Sequence, residues 1–249
     1  NGTCYFERIK SYQNVKIIEI DFDSIPNIDF LKDASEIVKS DYLRYYLLVK
    51  YGGIWSDFDI LYINSIEKIL NVKTNNVIFH CTIQEEGASY YPIGFFAATK
   101  GSKLFKYILD QCKNFYDKNM YQTIGASMWN SLFEKEENVY KVDPDTTILD
   151  NNFYLPLQCN KFADIFLKNN YYQFDDEKTV GIHWFNGSNQ SKEYQNQLDK
   201  RLNDFQPKVL IDNYVKKYIK SRNLLLFCES SYPGGGGEEF LLDVAKFFH

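Results

Sequence analysis

The spacing of apolar residues predicts strands and helices that alternate along the chain. In residues 30–51, apolar side chains recur every three or four positions, which is typical of one helix face. Gly52 and Gly53 should end this helix, and residues 54–63 follow as an extended segment. Strands are also predicted at 15–22, 76–81, 93–98, 139–142 and 180–184, and helices at 102–116 and 124–133. This alternation indicates an α/β layered fold.

Pro207 marks a change in the character of the chain. Residues 1–206 are expected to form the main domain, and residues 207–222 an amphipathic linker helix. Residues 223–249 then run from a strand through a glycine-rich turn into a helix, which is how a Rossmann-like domain begins. We therefore expect the truncated start of a second domain there. A closing strand and helix packed on the main domain is the alternative.

The composition of the 249 residues excludes some classes of protein. A hydrophobic share of 45% supplies a buried core, whereas a net charge of −5 leaves no basic surplus for binding nucleic acid. No apolar run approaches the ~20 residues that span a bilayer. Five cysteines without a Cys-x-x-Cys pair favour a reducing, cytoplasmic compartment, although a removed N-terminal anchor would mean the secretory pathway.

Asp57 and Asp59 are the residues that bear most directly on chemistry. Carboxylates at positions i and i+2 of an extended segment project to the same side, so their oxygens can converge. Mg²⁺ and Mn²⁺ take one or two carboxylates together with water and substrate phosphate. Such a cation would neutralise the diphosphate of an activated sugar. An isolated Asp-x-Asp is a weak signal, and it is the surrounding sequence that makes this pair predict a nucleotide-sugar glycosyltransferase with Mn²⁺ or Mg²⁺ as its cofactor.

The acidic pair stands in a longer ordered pattern. Ser40-Asp41-Tyr-Leu-Arg44 is followed by Tyr51-Gly-Gly-Ile-Trp-Ser-Asp-Phe-Asp59. This order resembles the glycosyltransferase family with the DXD sugar-binding region. That family includes fungal initiating mannosyltransferases, capsular polysaccharide glycosyltransferases and, more distantly, the clostridial glucosylating toxins.

The resemblance implies a GT-A fold, in which helices flank a Rossmann-like mixed sheet, and transfer of a hexose with retention of anomeric configuration. By position, it implies that Asp41 accepts hydrogen bonds from donor-sugar hydroxyls and that Arg44, with Ser40 beside it, meets the sugar or the phosphates. Trp55 should stack near the base or ribose. An ordinary helical ion pair between Asp41 and Arg44 and a core tryptophan at position 55 are the alternatives. Relatives begin with a buried strand, and residues 1–5 resemble the turn and helix just after it, so we expect that strand either to lie outside these 249 residues or to differ in this branch.

A later segment, Gly181-Ile-His-Trp-Phe-Asn-Gly-Ser188, resembles the family's His-x-Trp-x-x-Ser block. The resemblance implies a further metal ligand in His183 and donor contacts from Trp184 and Ser188. Relatives carry a tryptophan after this serine, where the present chain has Asn189. Gly94 resembles a position beneath the donor sugar, where glycine permits close approach of the backbone.

The expected catalytic residues are thus Asp57, Asp59, Asp41 and Arg44. A UDP-sugar is the favoured donor, GDP-mannose also fits, and the acceptor is a glycan or a protein. A second glycosyltransferase domain in the same polypeptide is a further possible partner, whereas nucleic acid is not expected.

Two other interpretations remain open. A catalytically silent module that binds nucleotide sugar or carbohydrate would retain the fold but should lose a metal ligand. A phosphatase of the haloacid-dehalogenase type would use Asp57 as its nucleophile. That class needs an apolar strand running into the acidic pair and a Thr or Val where Leu61 stands.

Overall fold

The computed structural model describes residue 18 and residues 20–70, 73–83, 88–153, 162–166, 174, 177–201 and 206–221. The strands within these residues are β1 (Gly53–Ser56), β2 (Ile60–Tyr62), β3 (Asn76–Ile83), β4 (Ala88–Tyr90), β5 (Phe95–Ala98), β6 (Thr146–Asp150) and β7 (Gly181–His183). The α-helices are α1 (Glu36–Tyr51), α2 (Glu67–Leu70), α3 (Lys103–Phe115), α4 (Ala126–Leu132), α5 (Glu136–Val142), α6 (Asn189–Arg201) and α7 (Leu210–Ser221). The protein is a mixed α/β structure.

The described residues fall into two compact units. The sheet unit contains described residues between 20 and 57 and between 70 and 150. The β2–β7 unit contains described residues between 58 and 69 and between 151 and 221. The chain passes from the first unit to the second between Asp57 and Phe58.

The sheet unit is built on a sheet of mixed direction with β3 at its centre. Along one edge, β3 pairs antiparallel with β5 near its start and with β4 near its end. Along the other edge it runs parallel to β6. Strand β1 extends the sheet by antiparallel pairing with β5. A mixed sheet flanked by helices is consistent with a Rossmann-like fold, and the GT-A arrangement itself stays a prediction.

Helix α1 is fixed at both ends and along its buried face. Ser35 caps its N-terminus by accepting a hydrogen bond from the amide of Val38. At its C-terminus Gly52 adopts φ +70, a conformation that glycine reaches without steric cost. The buried face of α1 carries Asp41 and Arg44 as well as apolar residues. The helix therefore places two charged side chains toward the interior.

An aromatic cluster in the sheet unit holds α1 against β5 and α4. Trp129 stacks on Phe96 at 5.1 Å between ring centroids, and its indole N–H donates to the Tyr45 hydroxyl at 3.0 Å. Tyr45 in turn donates to the carbonyl of Ile124 at 3.1 Å. Burying each of these side chains contributes roughly 1.5–3 kcal/mol. Helix α1, which carries Asp41 and Arg44, is consequently held in place by packing against β5 and α4.

A buried polar network joins the start of β3 to three other elements. The Asn76 side-chain amide donates to Asp143 at 2.9 Å and to Thr146 at 3.0 Å, and its oxygen accepts from Ser102 at 2.5 Å. Ser102 also caps α3 by accepting from the amide of Phe105 at 3.2 Å. Because each buried polar group has a partner, the network fixes the register of β3 with β6.

The β2–β7 unit pairs two short antiparallel strands beside α6 and α7. Its core includes Ile182, Leu198 and Ile211. Tyr194 of α6 donates to the Asp212 carboxylate of α7 at 2.7 Å, and the same carboxylate accepts from the amide of Val209 at 3.1 Å. Helix α7 falls within the predicted linker helix at 207–222 and packs into this core.

Three expectations about secondary structure need correction. Residues 139–142, predicted as a strand, belong to α5, whose first turn carries Glu136 and Glu137; the strand follows as β6. Acidic residues favour the N-terminus of a helix, and a four-residue segment with two valines is too short to decide between the two structures. The helix predicted from residue 30 begins at Glu36, after a 3₁₀ turn at Asp29–Leu31. The extended segment at 54–63 is broken by a turn at 57–59 into β1 and β2.

Some expectations lie outside the described residues. Half of the strand predicted at 15–22, residues 15–17 and 19, is among these; its described residues are not in a strand, and Phe22 begins a 3₁₀ turn. The predicted second-domain start at 223–249 also lies outside the described residues. Among the residues that the structure does describe, no helix combines the length and apolar character required to cross a bilayer.

Candidate active site

Asp57 and Asp59 lie in the turn that connects β1 to β2. The amide of Asp57 donates to the carbonyl of Gly94 at 2.8 Å, which ties the end of β1 to the chain just before β5. Since the two aspartates are not in one strand, alternation along a strand does not place them on one side as expected. The covalent chain still limits the distance between their Cα atoms to about 7 Å.

Two buried side chains hold the Asp57 carboxylate. Its Oδ1 atom accepts from the Trp55 indole Nε1 at 3.0 Å and from Arg44 Nη1 at 3.4 Å. The Arg44 guanidinium also lies 5.0 Å from the centroid of the Trp55 ring. Trp55 is only 2% exposed and packs in the core of the sheet unit. It is therefore a core residue with a polar contact to the acidic pair, and its stacking on the base or ribose of a donor stays a prediction.

Arg44 connects two carboxylates to the backbone. Its Nη2 lies 2.8 Å from Asp41 Oδ1, and Nη1 donates to the carbonyl of Ile93 at 2.6 Å. The Ser40 hydroxyl lies 3.4 Å from Nη2. Arg44 as a whole is 6% exposed, so these charge-assisted contacts form largely out of water. Arg44 orients Asp41 and Asp57 at the same time.

Asp41 is a buried carboxylate whose two oxygens differ. Oδ1 is paired with Arg44, whereas Oδ2 has no hydrogen-bond partner among the described residues. Burial raises the pKa of Asp41 to about 6; Arg44 opposes this shift, and the charge of Asp57 adds to it. Asp41 is thus ionised at neutral pH, with one buried acceptor facing no donor.

Gly125, which sequence reasoning left without a role, lies against that second oxygen. A Cβ added to Gly125 would stand 2.7 Å from Asp41 Oδ2 and 3.0 Å from the Ile93 side chain. Any larger residue would displace the carboxylate. The lone glycine ahead of α4 was the available signal, but the long-range contact that explains it is not visible in the sequence.

In the β2–β7 unit, Asp59 is paired with His183. Strand pairing sets Ile60 opposite His183, and His183 Nε2 lies 3.0 Å from Asp59 Oδ1. Asp59 Oδ2 accepts from the amide of Asn186 at 2.8 Å, and the Asp59 carbonyl accepts from the amide of Trp184 at 3.0 Å. Strand pairing therefore brings the late histidine block to Asp59, and the role of His183 as a metal ligand stays a prediction.

These contacts determine the charge on Asp59. Burial by itself would raise the pKa of the carboxyl, but the charge and hydrogen bond of His183 and the amide of Asn186 outweigh it, so the pKa is lowered. Asp59 is accordingly ionised at neutral pH. An ionised carboxylate next to an imidazole is a donor set that suits a divalent cation.

Trp184 and Ser188 have structural contacts in the same unit. Trp184 is 3% exposed and belongs to the core with Tyr194. Ser188 caps α6, because its hydroxyl accepts from the amide of Ser191 at 3.1 Å and its carbonyl accepts from that of Lys192 at 3.1 Å. Their contacts with a sugar donor stay a prediction.

Phe185 is a residue that sequence reasoning missed. Its ring stacks on the His183 imidazole with 4.2 Å between centroids and 20° between planes. Its backbone adopts φ +50. The only sequence signal was its place inside the late histidine block, which gives no indication of a left-handed backbone.

Comparison with known proteins relates part of the chain to glycan biosynthesis. Residues 12–124, a little under half of the chain, match the family model described as capsular polysaccharide synthesis protein. The matched range includes Ser40, Asp41, Arg44, Trp55, Asp57, Asp59 and Gly94. No curated protein and no solved structure matches the chain. The match indicates a role in glycan biosynthesis, and hence a sugar donor and an acceptor in general.

Proposed function

We propose that this protein is a divalent-metal-dependent glycosyltransferase that moves a hexose from a nucleotide-sugar donor to a glycan or protein acceptor, with retention of configuration. One observation carries the proposal. Asp57 and Asp59, one residue apart, are each oriented by buried partners, Arg44 with Trp55 for the first and His183 for the second. Solvated loop aspartates have no such supports.

Asp41 is the residue we assign to the donor sugar. A buried acceptor without a donor costs roughly 1–3 kcal/mol, and a sugar hydroxyl would satisfy Asp41 Oδ2. The guanidinium of Arg44 already contacts Asp41, Asp57 and the Ile93 carbonyl. We therefore assign Arg44 the role of orienting the two carboxylates rather than a primary contact with the phosphates.

Asp57, Asp59 and His183 are the residues we assign to a bound Mn²⁺ or Mg²⁺. Their carboxylate oxygens and the nitrogen of a neutral His183 imidazole are donors that fit such a cation. When bound, the cation would act as a Lewis acid toward the departing diphosphate. Arg44 and Trp55 hold one ligand, and the Asn186 amide holds another, before any donor arrives.

The retained configuration implies attack on the face from which the diphosphate leaves. The acceptor oxygen forms its bond to the anomeric carbon while the bond from that carbon to the diphosphate oxygen breaks. The acceptor proton passes to the departing phosphate oxygen. Asp41 would hold the sugar during this exchange through a hydroxyl remote from the reacting carbon. A UDP-sugar is our favoured donor, with GDP-mannose as the second choice.

The test is a screen of nucleotide sugars for Mn²⁺-stimulated hydrolysis, followed by Asp59→Asn. Loss of an oriented electrostatic group commonly costs ~3 kcal/mol or more, so we expect turnover to fall at least about a hundredfold. Asp164→Asn, in the same unit, is the matched control and should retain the wild-type rate. Unchanged turnover and an unchanged Mn²⁺ response in Asp59→Asn would refute the metal assignment. An inverted product would refute the stereochemistry alone.

A catalytically silent binding module is the second candidate, because the buried Asp41 oxygen would serve sugar binding without catalysis. Calorimetric binding of a nucleotide sugar combined with no hydrolysis or transfer, with or without Mn²⁺, would favour it. Both aspartates and the histidine are present, which favours the enzyme.

A further inference from the structure

Phe185 has a backbone conformation that its residue type disfavours. Its φ of +50 lies in the left-handed region, where a bulky residue other than glycine is an outlier. Such conformations persist when the surrounding structure determines them, and they cluster at functional sites. The residue follows β7 and comes two positions after His183. Its contacts show what the unusual turn achieves.

Helix α6 and a neighbouring aromatic ring hold the turn in place. The Phe185 carbonyl accepts from the amide of Ser188 at 2.8 Å, which closes the turn. The Gln195 side-chain amide donates to the side-chain oxygen of Asn186. The Phe162 ring lies 5.0 Å from the Phe185 ring. The turn is thus fixed from both sides within the β2–β7 unit.

The same turn fixes both members of the Asp59–His183 pair. The phenyl ring covers one face of the His183 imidazole and limits its rotation, since the two rings are nearly parallel at 4.2 Å. The backbone that bends at Phe185 also directs the next amide, that of Asn186, onto Asp59 Oδ2 at 2.8 Å. Asp59 Oδ1 then meets His183 Nε2 at 3.0 Å. Ring and backbone therefore act on different partners.

We propose that Phe185 is a positioning residue that sets the affinity of the Asp59–His183 pair for a divalent cation. This proposal rests on the proposed function, because it takes that pair as metal ligands. The phenyl ring keeps the imidazole in one orientation. Groups that orient metal ligands typically change metal affinity 10- to 100-fold when they are removed.

The experiment compares Phe185→Leu, Phe185→Gly and Phe185→Tyr. Phe185→Leu removes the aromatic ring and keeps a residue type that disfavours positive φ. Phe185→Gly removes the ring and also removes the backbone strain. Phe185→Tyr retains the ring. Mn²⁺ affinity is measured by calorimetry or by electron paramagnetic resonance. We expect the leucine and glycine variants to bind Mn²⁺ about tenfold more weakly and the tyrosine variant to bind as the wild type does.

A second measurement is made on the metal-free protein. His183 is one of three histidines, so its imidazole C–H resonances can be assigned by substitution. The stacked phenyl ring should shift them upfield, and this shift should disappear in the leucine and glycine variants and remain in the tyrosine variant. Phe166→Leu is the matched control, because Phe166 stacks on Tyr194 in the same unit at 5.0 Å. It should leave both readouts unchanged.

The possible failures are distinguishable. A wild type that binds Mn²⁺ and a leucine variant that binds it equally well would overturn the positioning role alone. Equal weakening by Phe166→Leu would also overturn it, because the effect would then be a general loss of packing. A wild type that binds no Mn²⁺ would overturn the metal site of the proposed function and, with it, this proposal.

Discussion

Trp55 contributes a buried ring and a single polar hydrogen to the site. The ring packs in the core and lies beneath Arg44, while the indole N–H donates to Asp57 Oδ1. Trp55→Phe would retain an aromatic ring and remove the donor. We expect the free energy of unfolding to fall by about 1–3 kcal/mol and Mn²⁺ affinity to fall about tenfold, as measured by denaturant unfolding and calorimetry.

Trp129→Phe is the matched control for this change. Trp129 is equally buried and donates its indole N–H to Tyr45, away from the acidic pair. It should lose similar stability and retain Mn²⁺ affinity. If Trp55→Phe bound Mn²⁺ as tightly as Trp129→Phe does, Trp55 would be only a core residue.

Asp41 gives the protein a pH-dependent stability. Its folded-state pKa is about 6 against an ordinary 3.8, so the folded state binds this proton more tightly than the unfolded state does. This stabilisation is therefore complete below the ordinary pKa and is lost as the pH rises through the folded-state pKa of about 6. The shift corresponds to about 3 kcal/mol.

Asp41→Asn should remove that dependence. The difference in free energy of unfolding, variant minus wild type, is expected to rise by about 3 kcal/mol between pH 3.8 and neutral pH. Denaturant unfolding at a series of pH values measures it. A constant difference across this range would contradict the raised pKa.

At the scale of single residues, the sequence indicated which residues belong to the candidate site better than it indicated which atoms they contact. The motif around Arg44 implied that this residue meets the sugar or the phosphates, which stays a prediction, and the structure shows in addition that its guanidinium contacts Asp57. The sequence could not predict that the Trp55 indole donates a hydrogen bond to the Asp57 carboxylate, or that the missing side chain of Gly125 leaves space for Asp41. Those contacts join residues far apart in the chain or depend on backbone angles that local pattern does not determine.

At the scale of elements, the junction between α1 and β1 depends on two glycines that differ. A Cβ on Gly52 would stand 2.5 Å from the amide nitrogen of Lys100, whereas one on Gly53 would meet nothing within 4 Å. Both have positive φ, +70 and +103. The first position is therefore both strained and closed to a side chain, and the second is only strained.

Alanine substitutions should separate the two effects. Gly53→Ala is expected to lower the free energy of unfolding by about 1–3 kcal/mol through backbone strain. Gly52→Ala should cost about 1–3 kcal/mol more, because the clash with backbone adds to the strain. Denaturant unfolding measures both. Equal losses of unfolding free energy in the two variants would show that the backbone at Lys100 moves aside without measurable cost.

Elements with strong local signals were predicted well. The helix expected at 102–116 is α3, which Ser102 caps, and the strands expected at 76–81 and 93–98 contain the starts of β3 and β5. Helix α6 was not predicted, because its sequence is largely polar and its inward contacts come from few residues, among them Tyr194 and Leu198. Tertiary packing rather than periodicity stabilises such a helix.

At the scale of the whole molecule, a bound cation should stabilise the folded chain. A ligand that binds only the folded state at one hundred times its Kd adds about 2.7 kcal/mol to the free energy of unfolding. We expect Mn²⁺ at that excess to produce this gain in the wild type and little of it in Asp59→Asn, as measured by denaturant unfolding. An equal gain in both proteins would indicate that Mn²⁺ binds elsewhere.

The α/β architecture was predictable because alternation of strands and helices is a property of the whole sequence. The division into two compact units was not, since it falls between the two aspartates of one short motif. A composition change near Pro207 was the only boundary that the sequence signalled. Contiguous patterns do not reveal units that are assembled from separate stretches of chain.

The amide of Asn76 has a consequence for how the chain matures on the ribosome. Two of its partners belong to a stretch that is synthesised about seventy residues later, around Thr146. Until that stretch leaves the exit tunnel, one edge of the central strand stays open and able to recruit another nascent chain. Stalled chains in which Thr146–Asp150 is not yet made or is still inside the tunnel should therefore need a chaperone, and chains in which this segment has emerged should not.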